Sequence, residues 1–224
     1  MSIITSISTI LFHNINPSKS VAVVLGNLFL GLGVAGMLLS GLGNDPSTAM
    51  NMAISDGFGM GLGTYQLLFN LAVFITQIFF GRKYIGIGTI INMVCIGYIV
   101  QYSSPIIDSI FGNAYGASFL YQLYYMFLSL LVLSFGISMY QLSNQGVAPY
   151  DYISLALTDK FKKPYFLMRI GTDFSCILVI LSAFLVSFID SSQLHLGVST
   201  LVAAFCFGPF ISMFNKLNCK WIKQ

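Results

Sequence analysis

The chain contains the same short motif twice, at a constant spacing of 103 residues. Gly43-Asn44-Asp45-Pro46 in the first half corresponds to Gly146-Val147-Ala148-Pro149 in the second. The surrounding residues align without a gap, LGVAGMLLSGLGNDPSTAMNMAISD over FGISMYQLSNQGVAPYDYISLALTD. A second block repeats in the same order at a spacing of 111 residues, GIGTIINMVCIGYIVQ over GVSTLVAAFCFGPFIS. Two blocks in one order indicate an internal duplication, so we expect two related halves.

Composition predicts that both halves lie in a lipid bilayer. Hydrophobic residues make up 56% of the chain and charged residues only 8%, against roughly 25% charged residues in an ordinary soluble domain. A chain of 224 residues this apolar cannot bury its hydrophobic side chains in water. The sequence therefore predicts an all-α integral membrane protein with the lipid bilayer as its surroundings. Its basic residues lie between apolar runs, so no nucleic-acid surface is expected.

Six apolar runs are long enough to cross a bilayer core of about 30 Å. We predict spans at about 21–42, 64–80, 85–102, 118–142, 165–188 and 196–214. The first repeat, 21–103, contains three spans and a short helix at 46–56. The second repeat, 118–215, contains three spans and a short helix at 149–159. The other segments are an N-terminal cytoplasmic or interfacial segment at 1–20, a polar connector at 104–117 and a basic cytoplasmic tail at 216–224.

The basic residues predict the orientation of these spans. All 10 Lys and Arg residues fall on one side of a six-span arrangement. Because cytoplasmic loops carry the excess of Lys and Arg, we expect both termini to be cytoplasmic and the membrane to be the plasma (inner) membrane. Three spans per half is an odd number, so the second half crosses the membrane in the opposite sense. The sequence thus predicts two inverted three-helix repeats.

The two short helices have two interpretations. A helix of eleven residues is about 16 Å long, so half-helices from opposite faces would meet near the midplane. Their first turns would then present free N–H groups and positive dipole ends to a central cavity. The alternative is that both helices lie flat at the membrane surfaces as amphipathic connectors. Gly43, Pro46, Gly146 and Pro149 are structural in either case, because they shape the turn before each helix.

Asp173 is the polar residue that most needs an explanation. It is predicted about 13 Å deep in the fifth span, where an isolated carboxylate is expensive and usually functional. Arg169 lies four residues earlier on the same helical face and is the expected partner. The pair either couples to a solute or proton, or acts as a structural strut. Asn70 is the equivalent of Asp173 in the first half, so we expect these three residues to form a shared midplane site. The alternative is that Asn70 and Asp173 only form a hydrogen bond between helices.

The residues after the two motif prolines complete the candidate site. They are Tyr150 and Asp151 in the second half, and Ser47 and Thr48 in the first. Asp151 lies in the first turn of its helix, where we expect it to cap N–H groups, with an inward-facing role as the alternative. Asp45 is expected at an extracellular mouth. No spacing typical of metal binding, nucleotide binding or catalysis is present, so we expect no metal, no cofactor and no enzymatic activity.

The repeated glycine-x-x-proline motif, together with GIGT and GVST at the starts of the third and sixth spans, resembles the YczE/YitT-like bacterial integral membrane proteins. The resemblance covers about Gly31 to Phe214. In that family the second motif tends to read Gly-x-x-Pro-x-Asp, as here with Asp151, and the fifth span tends to carry an arginine four residues before an acid, as Arg169 and Asp173 do. The first motif departs, because Ser47-Thr48 replaces an aromatic residue and Asp. The resemblance implies a multi-pass plasma-membrane protein of bacterial type and names no substrate.

These features support one hypothesis and one alternative. The first is a transporter or permease for an unknown small solute, with alternating access to a midplane site between the inverted repeats. The alternative is a substrate-binding or accessory membrane subunit that works with partner proteins. Assembly as a homo-oligomer, or with a partner membrane subunit, is compatible with both.

The predicted topology can be tested by labelling single cysteines in a cysteine-free background. A cysteine near Lys162 or in the tail should react with an impermeant reagent only from the cytoplasmic side, and one near Asp108 only from outside. Labelling of the Lys162 and Asp108 positions from the same side would contradict the inverted arrangement.

Overall fold

The structure is a computed structural model that describes residues 17–222. Most of the predicted segment 1–20, including His13, and the end of the tail lie outside the described residues. Residues 17–222 form eight α-helices and two short 3-10 turns, at Arg82–Tyr84 and Ser191–Gln193. The helices are α1 Pro17–Leu39, α2 Pro46–Gly57, α3 Leu62–Phe80, α4 Ile87–Phe111, α5 Phe119–Leu142, α6 Pro149–Phe161, α7 Tyr165–Leu185 and α8 Val198–Ile222.

Six of these helices, all except α2 and α6, are long and apolar enough to cross a membrane. Their outer faces carry large apolar side chains that are exposed on the isolated protein, such as Phe80, Leu120 and Leu185. Apolar surface on this scale is not stable in water and is typical of contact with lipid. The prediction of an all-α, multi-pass membrane protein with six spans is confirmed.

The third span is longer than the sequence suggested. Helix α4 continues through Pro105 to Phe111 and ends at Gly112, where φ is +76°. It therefore includes the first part of the predicted connector 104–117. The hydroxyl of Ser104 donates a hydrogen bond to the Val100 carbonyl oxygen at 2.9 Å. Membrane helices tolerate proline inside them more readily than soluble helices do.

The core of the protein lies where α1 and α5 cross. Gly33 on α1 faces Leu133 on α5, and Gly136 on α5 faces Leu30 on α1. A Cβ atom on Gly33 would lie 2.5 Å from Leu133 Cβ, and one on Gly136 would lie 2.5 Å from the Leu30 backbone nitrogen. These four residues are two equivalent pairs in the sequence repeat, so the contact is reciprocal. Glycines at the crossing allow the two backbones to approach closely.

Each short helix is preceded by an unwound segment, and the two segments have the same backbone shape. The φ angle is +99° at Gly43 and +97° at Gly146, a conformation that glycine adopts without a steric penalty. A serine closes the preceding helix in each half. Ser40 Oγ donates to the Met37 carbonyl and Ser143 Oγ to the Tyr140 carbonyl, both at 2.6 Å.

One backbone carbonyl in each unwound segment accepts a hydrogen bond from the opposite half of the chain. Ser199 N, at the start of α8, donates to the Leu42 carbonyl at 3.1 Å, and Gly88 N, at the start of α4, donates to the Gln145 carbonyl at 2.7 Å. Ser199 and Gly88 are equivalent in the sequence repeat, as are Leu42 and Gln145. Unpaired backbone groups cost free energy away from water. Each half therefore donates a hydrogen bond to a carbonyl group in the unwound segment of the other half.

Helices α2 and α6 both pack against α3 and α7. In α2 the buried positions include three polar side chains, Thr48, Asn51 and Ser55. In α6 the buried positions lie at the start of the helix and include Asp151 and Ser154. The two short helices therefore bring polar side chains into the interior beside α7.

The close crossing of α1 and α5 gives a stability prediction. Gly136→Ala would place a methyl group against the α1 backbone, which cannot rotate away, so we expect the free energy of unfolding to fall by about 1–3 kcal/mol. The control is Gly97→Ala in α4, where a Cβ atom meets nothing within 4 Å and alanine favours the helix by up to about 1 kcal/mol. Melting temperatures in detergent measure both. A loss of the same size in the two variants would contradict the crossing.

Candidate functional site

Arg169 is the centre of a buried group of charges between α6 and α7. Its Nε donates to Asp173 Oδ2 at 3.3 Å, and its Nη1 donates to Asp151 Oδ1. Arg169 is 2% exposed, Asp151 4% and Asp173 0%. A buried guanidinium is stable only when it is paired and hydrogen-bonded. Arg169 forms ion pairs with two carboxylates. We call Arg169, Asp151 and Asp173 the Arg169 group.

Aromatic side chains enclose the Arg169 group. The guanidinium carbon lies 5.0 Å from the centre of the Tyr150 ring and 5.9 Å from that of Phe207, which is cation–π distance. The Tyr150 hydroxyl donates to Asp173 Oδ1 at 2.9 Å and lies 3.2 Å from Cys176 Sγ. Both oxygens of Asp173 are therefore hydrogen-bonded within the protein, one to Arg169 and one to Tyr150.

Two hydroxyls hold α6 against α7 one turn from the ion pairs. Thr172 Oγ1 donates to the Arg169 carbonyl at 2.8 Å and lies 2.8 Å from Ser154 Oγ. Since the Thr172 proton is used, Ser154 is the donor between the two hydroxyls. This contact fixes the spacing of the helices that carry Asp151 and Arg169. Sequence reasoning missed it, because nothing in the spacing of Ser154 and Thr172 indicates a contact.

Asp45 approaches the Arg169 group from the start of α2. Its Oδ2 accepts hydrogen bonds from Thr48 N at 3.1 Å and from Ser47 Oγ at 2.7 Å, so it caps the helix. It is 4% exposed and interacts electrostatically with Asp151 and Asp173. Sequence reasoning expected Asp45 at an extracellular mouth. The carboxylate is buried, because capping holds it at a helix start that is itself packed inside the protein.

The remaining candidate residues take different positions. Ser47 and Thr48 act on the site through Asp45. The expected capping role of Asp151 is wrong, because α6 has Ala148 as its N-cap with no side-chain cap and the carboxylate pairs with the stronger donor, Arg169. Asn70 is buried in α3 at 6% exposure, and within residues 17–222 no hydrogen bond joins it to the Arg169 group.

Sequence reasoning did not include Asp45 among the site residues, although a signal for its capping role was present. An Asp directly before a proline is a strong pattern for a helix N-cap followed by proline in the first turn. Gly43, Pro46, Gly146 and Pro149 shape the two helix starts and do not enter the charged group.

The far ends of α2 and α6 are each tied to the opposite half. Asp56 Oδ2 lies 2.6 Å from His195 Nε2. Asp159 Oδ2 accepts hydrogen bonds from Lys83 Nζ and the Tyr84 hydroxyl. Asp56 and Asp159 are equivalent in the sequence repeat, as are His195 and Tyr84. The same junction is therefore built with a histidine in one half and with a lysine and a tyrosine in the other.

The contact between Asp159 and Tyr84 shifts the pKa of both side chains. The hydrogen bonds from Lys83 and Tyr84 lower the pKa of Asp159, while desolvation and the bond to Asp159 raise the pKa of Tyr84. Because the folded-state pKa of Asp159 is lowered, its contribution to stability is present above the unfolded pKa of about 4 and is lost as pH falls through the lowered value. The contribution is small, since the pair is largely exposed and screened by water.

Fold and site together define a polytopic α-helical membrane protein with a buried arginine–aspartate group at the starts of two short helices. The chain belongs to a family of unknown function, DUF6198, whose family model matches residues 17–216.

Two relatives support the same assignment. An uncharacterized protein of Haemophilus influenzae is 22% identical over 197 residues, which is 88% of this chain and 83% of that protein. The uncharacterized membrane protein YczE of Bacillus subtilis is 23% identical over 137 residues, 60% of each chain. No solved structure matches. The resemblance to YczE-like membrane proteins is confirmed.

The geometry of the Arg169 group predicts an order of stability. Arg169→Gln leaves two buried carboxylates without their cation, so we expect a loss of about 3–5 kcal/mol in the free energy of unfolding. Asp173→Asn should lose less, because Arg169 keeps Asp151. The triple change Arg169→Gln, Asp151→Asn and Asp173→Asn should recover much of the first loss.

Melting temperature and expression level in detergent measure this series, with Asp108→Asn as the control at an exposed carboxylate. If Asp173→Asn lowered the melting temperature as much as Arg169→Gln does, this would contradict the pairing of Arg169 with both carboxylates.

Proposed function

We propose that the protein is a membrane transporter for a small solute, working by alternating access to a site between two inverted repeats. The observation that carries the proposal is the meeting of two helix starts at one buried charged group. Asp45 caps α2, Asp151 lies in the first turn of α6, and both act on charged residues of α7. Broken helices whose ends meet inside the protein are typical of solute sites in secondary transporters.

The reciprocal contacts support the inverted arrangement. The glycine crossing of α1 and α5 relates equivalent residues of the two halves, and so do the hydrogen bonds of Leu42 with Ser199 and of Gln145 with Gly88. A reciprocal contact of this kind is what an approximate two-fold relation between the halves would produce. With three spans in each half, such a relation turns one half over with respect to the membrane.

The ties at the far ends of α2 and α6 serve as the two gates in this proposal. Asp56 with His195 closes one side, and Asp159 with Lys83 and Tyr84 closes the other. The excess of basic residues assigns the second gate, and both termini, to the cytoplasmic side. Both ties are formed while the charged group is buried, which corresponds to an occluded state between inward and outward openings.

Reconstitution in liposomes tests the transporter directly. Purified protein alone should accumulate at least one solute from a metabolite mixture, identified by mass spectrometry of the vesicle contents. The Asp173→Asn variant should reduce uptake strongly, because it removes one of the two carboxylates that pair with the buried Arg169 and so changes the charge of the site. Asp108→Asn changes the same chemical group on the exposed end of α4 and should transport normally.

Uptake that appears only after a second membrane protein is added would support an accessory or substrate-binding subunit instead. Equal uptake by the Asp173→Asn variant and the parent would contradict the proposed site.

A further inference from the structure

The charged interior between α2, α6 and α7 contains more negative than positive charge. Asp45, Asp151 and Asp173 supply three carboxylates, and Arg169 supplies one guanidinium. The starts of α2 and α6 add about half a positive charge each through their helix dipoles. The balance is close to one unmatched negative charge, in a place where an unmatched charge is expensive.

Asp45 is the one of the three carboxylates that no basic side chain pairs with in residues 17–222. In the second half, the carboxylate of Asp151 is matched by Arg169 on the following span. In the first half, the position equivalent to Arg169 is Gln66 on α3, which is neutral. The first half has Thr48 and Gln66 where the second has Asp151 and Arg169, and Asp45 corresponds to Ala148. Asp45 is therefore an additional buried carboxylate, with no paired cation among the described residues.

Unsatisfied hydrogen-bonding atoms also indicate a ligand site at Asp45. Asp45 uses only Oδ2 for capping, and its Oδ1 has no hydrogen-bond partner in the described part of the chain. Asn51 Oδ1, two turns along α2, is a second buried acceptor without a donor, and Asn44 Nδ2 is a buried donor without an acceptor. Buried polar atoms are almost always satisfied. A ligand here therefore needs positive charge and hydrogen-bond donors for Asp45 Oδ1 and Asn51 Oδ1, and an acceptor for Asn44 Nδ2.

We propose that the solute is a small organic cation with N–H groups, a protonated amine, held by Asp45 beside the Arg169 group. The amine does for Asp45 what Arg169 does for Asp151. A metal ion fits less well, because within residues 17–222 no three His, Cys or Asp side chains converge closely enough to hold one. This inference rests on the proposed transport function and names its substrate class.

Thermal unfolding of the purified protein in detergent tests the amine site without knowledge of the natural solute. The probes are methylammonium, ethylammonium and 2-hydroxyethylammonium chlorides. Tetramethylammonium chloride, which has no N–H group, and the sodium salts chloride and acetate serve as comparisons at equal ionic strength. At least one N–H cation should raise the melting temperature with saturation, because it binds the folded state.

The matched variant is Asp45→Asn, since asparagine caps helices about as well as aspartate while lacking the charge. It should fold, and its half-saturating ammonium concentration should rise by about tenfold or more, the effect of one lost charge contact. Asp108→Asn, at the exposed end of α4, should bind as the parent does. Unchanged ammonium binding in Asp45→Asn would overturn the proposal. So would equal stabilisation by tetramethylammonium or sodium, or a lack of effect of all three N–H cations.

Uptake measurements separate this inference from the function on which it rests. If liposomes accumulate a neutral or anionic solute and Asp45→Asn does so equally well, the transporter proposal stands and the amine proposal fails. If ammonium binding depends on Asp45 but no solute is moved, the amine site stands and the transporter proposal fails.

Discussion

The hydrogen bonds of the two unwound segments come from the opposite half of the chain, and the placement of the buried charges depends on this exchange. The Leu42 and Gln145 carbonyls each accept a bond from the first turn of α8 or α4. These bonds fix where α2 and α6 begin, and so where Asp45 and Asp151 lie. Without them, backbone groups would be unpaired away from water, at several kcal/mol each.

The Arg169 group shows how a charged interior remains stable and still has capacity for a ligand. Asp173 has both oxygens hydrogen-bonded to protein groups, which is the arrangement of a strut. Asp45 has one oxygen bonded and one without a partner, which is the arrangement of a binding residue. We therefore assign the structural role to Asp173 and the contact with solute to Asp45.

The sequence was sufficient for the helical content, the six spans and the family, because long apolar runs and the repeat express those directly. It also indicated that Arg169 and Asp173 share one helical face. In the structure Arg169 Nε lies 3.3 Å from Asp173 Oδ2. The pairing of Asp151 with Arg169 was not predictable, since it depends on how distant helices pack. The extension of α4 was missed because Pro105 was read as the end of a helix, whereas membrane helices tolerate proline.

The exchange between the halves also determines when the protein can finish folding during its synthesis. The Leu42 carbonyl accepts its bond from Ser199, and Asp56 meets His195, residues that the ribosome adds 157 and 139 positions later. Chains fold from the N-terminus as they emerge, so the first three spans enter the membrane with an open break and must be kept from wrong partners until α8 arrives. Insertion of α8 is thus the step that closes both contacts between the halves.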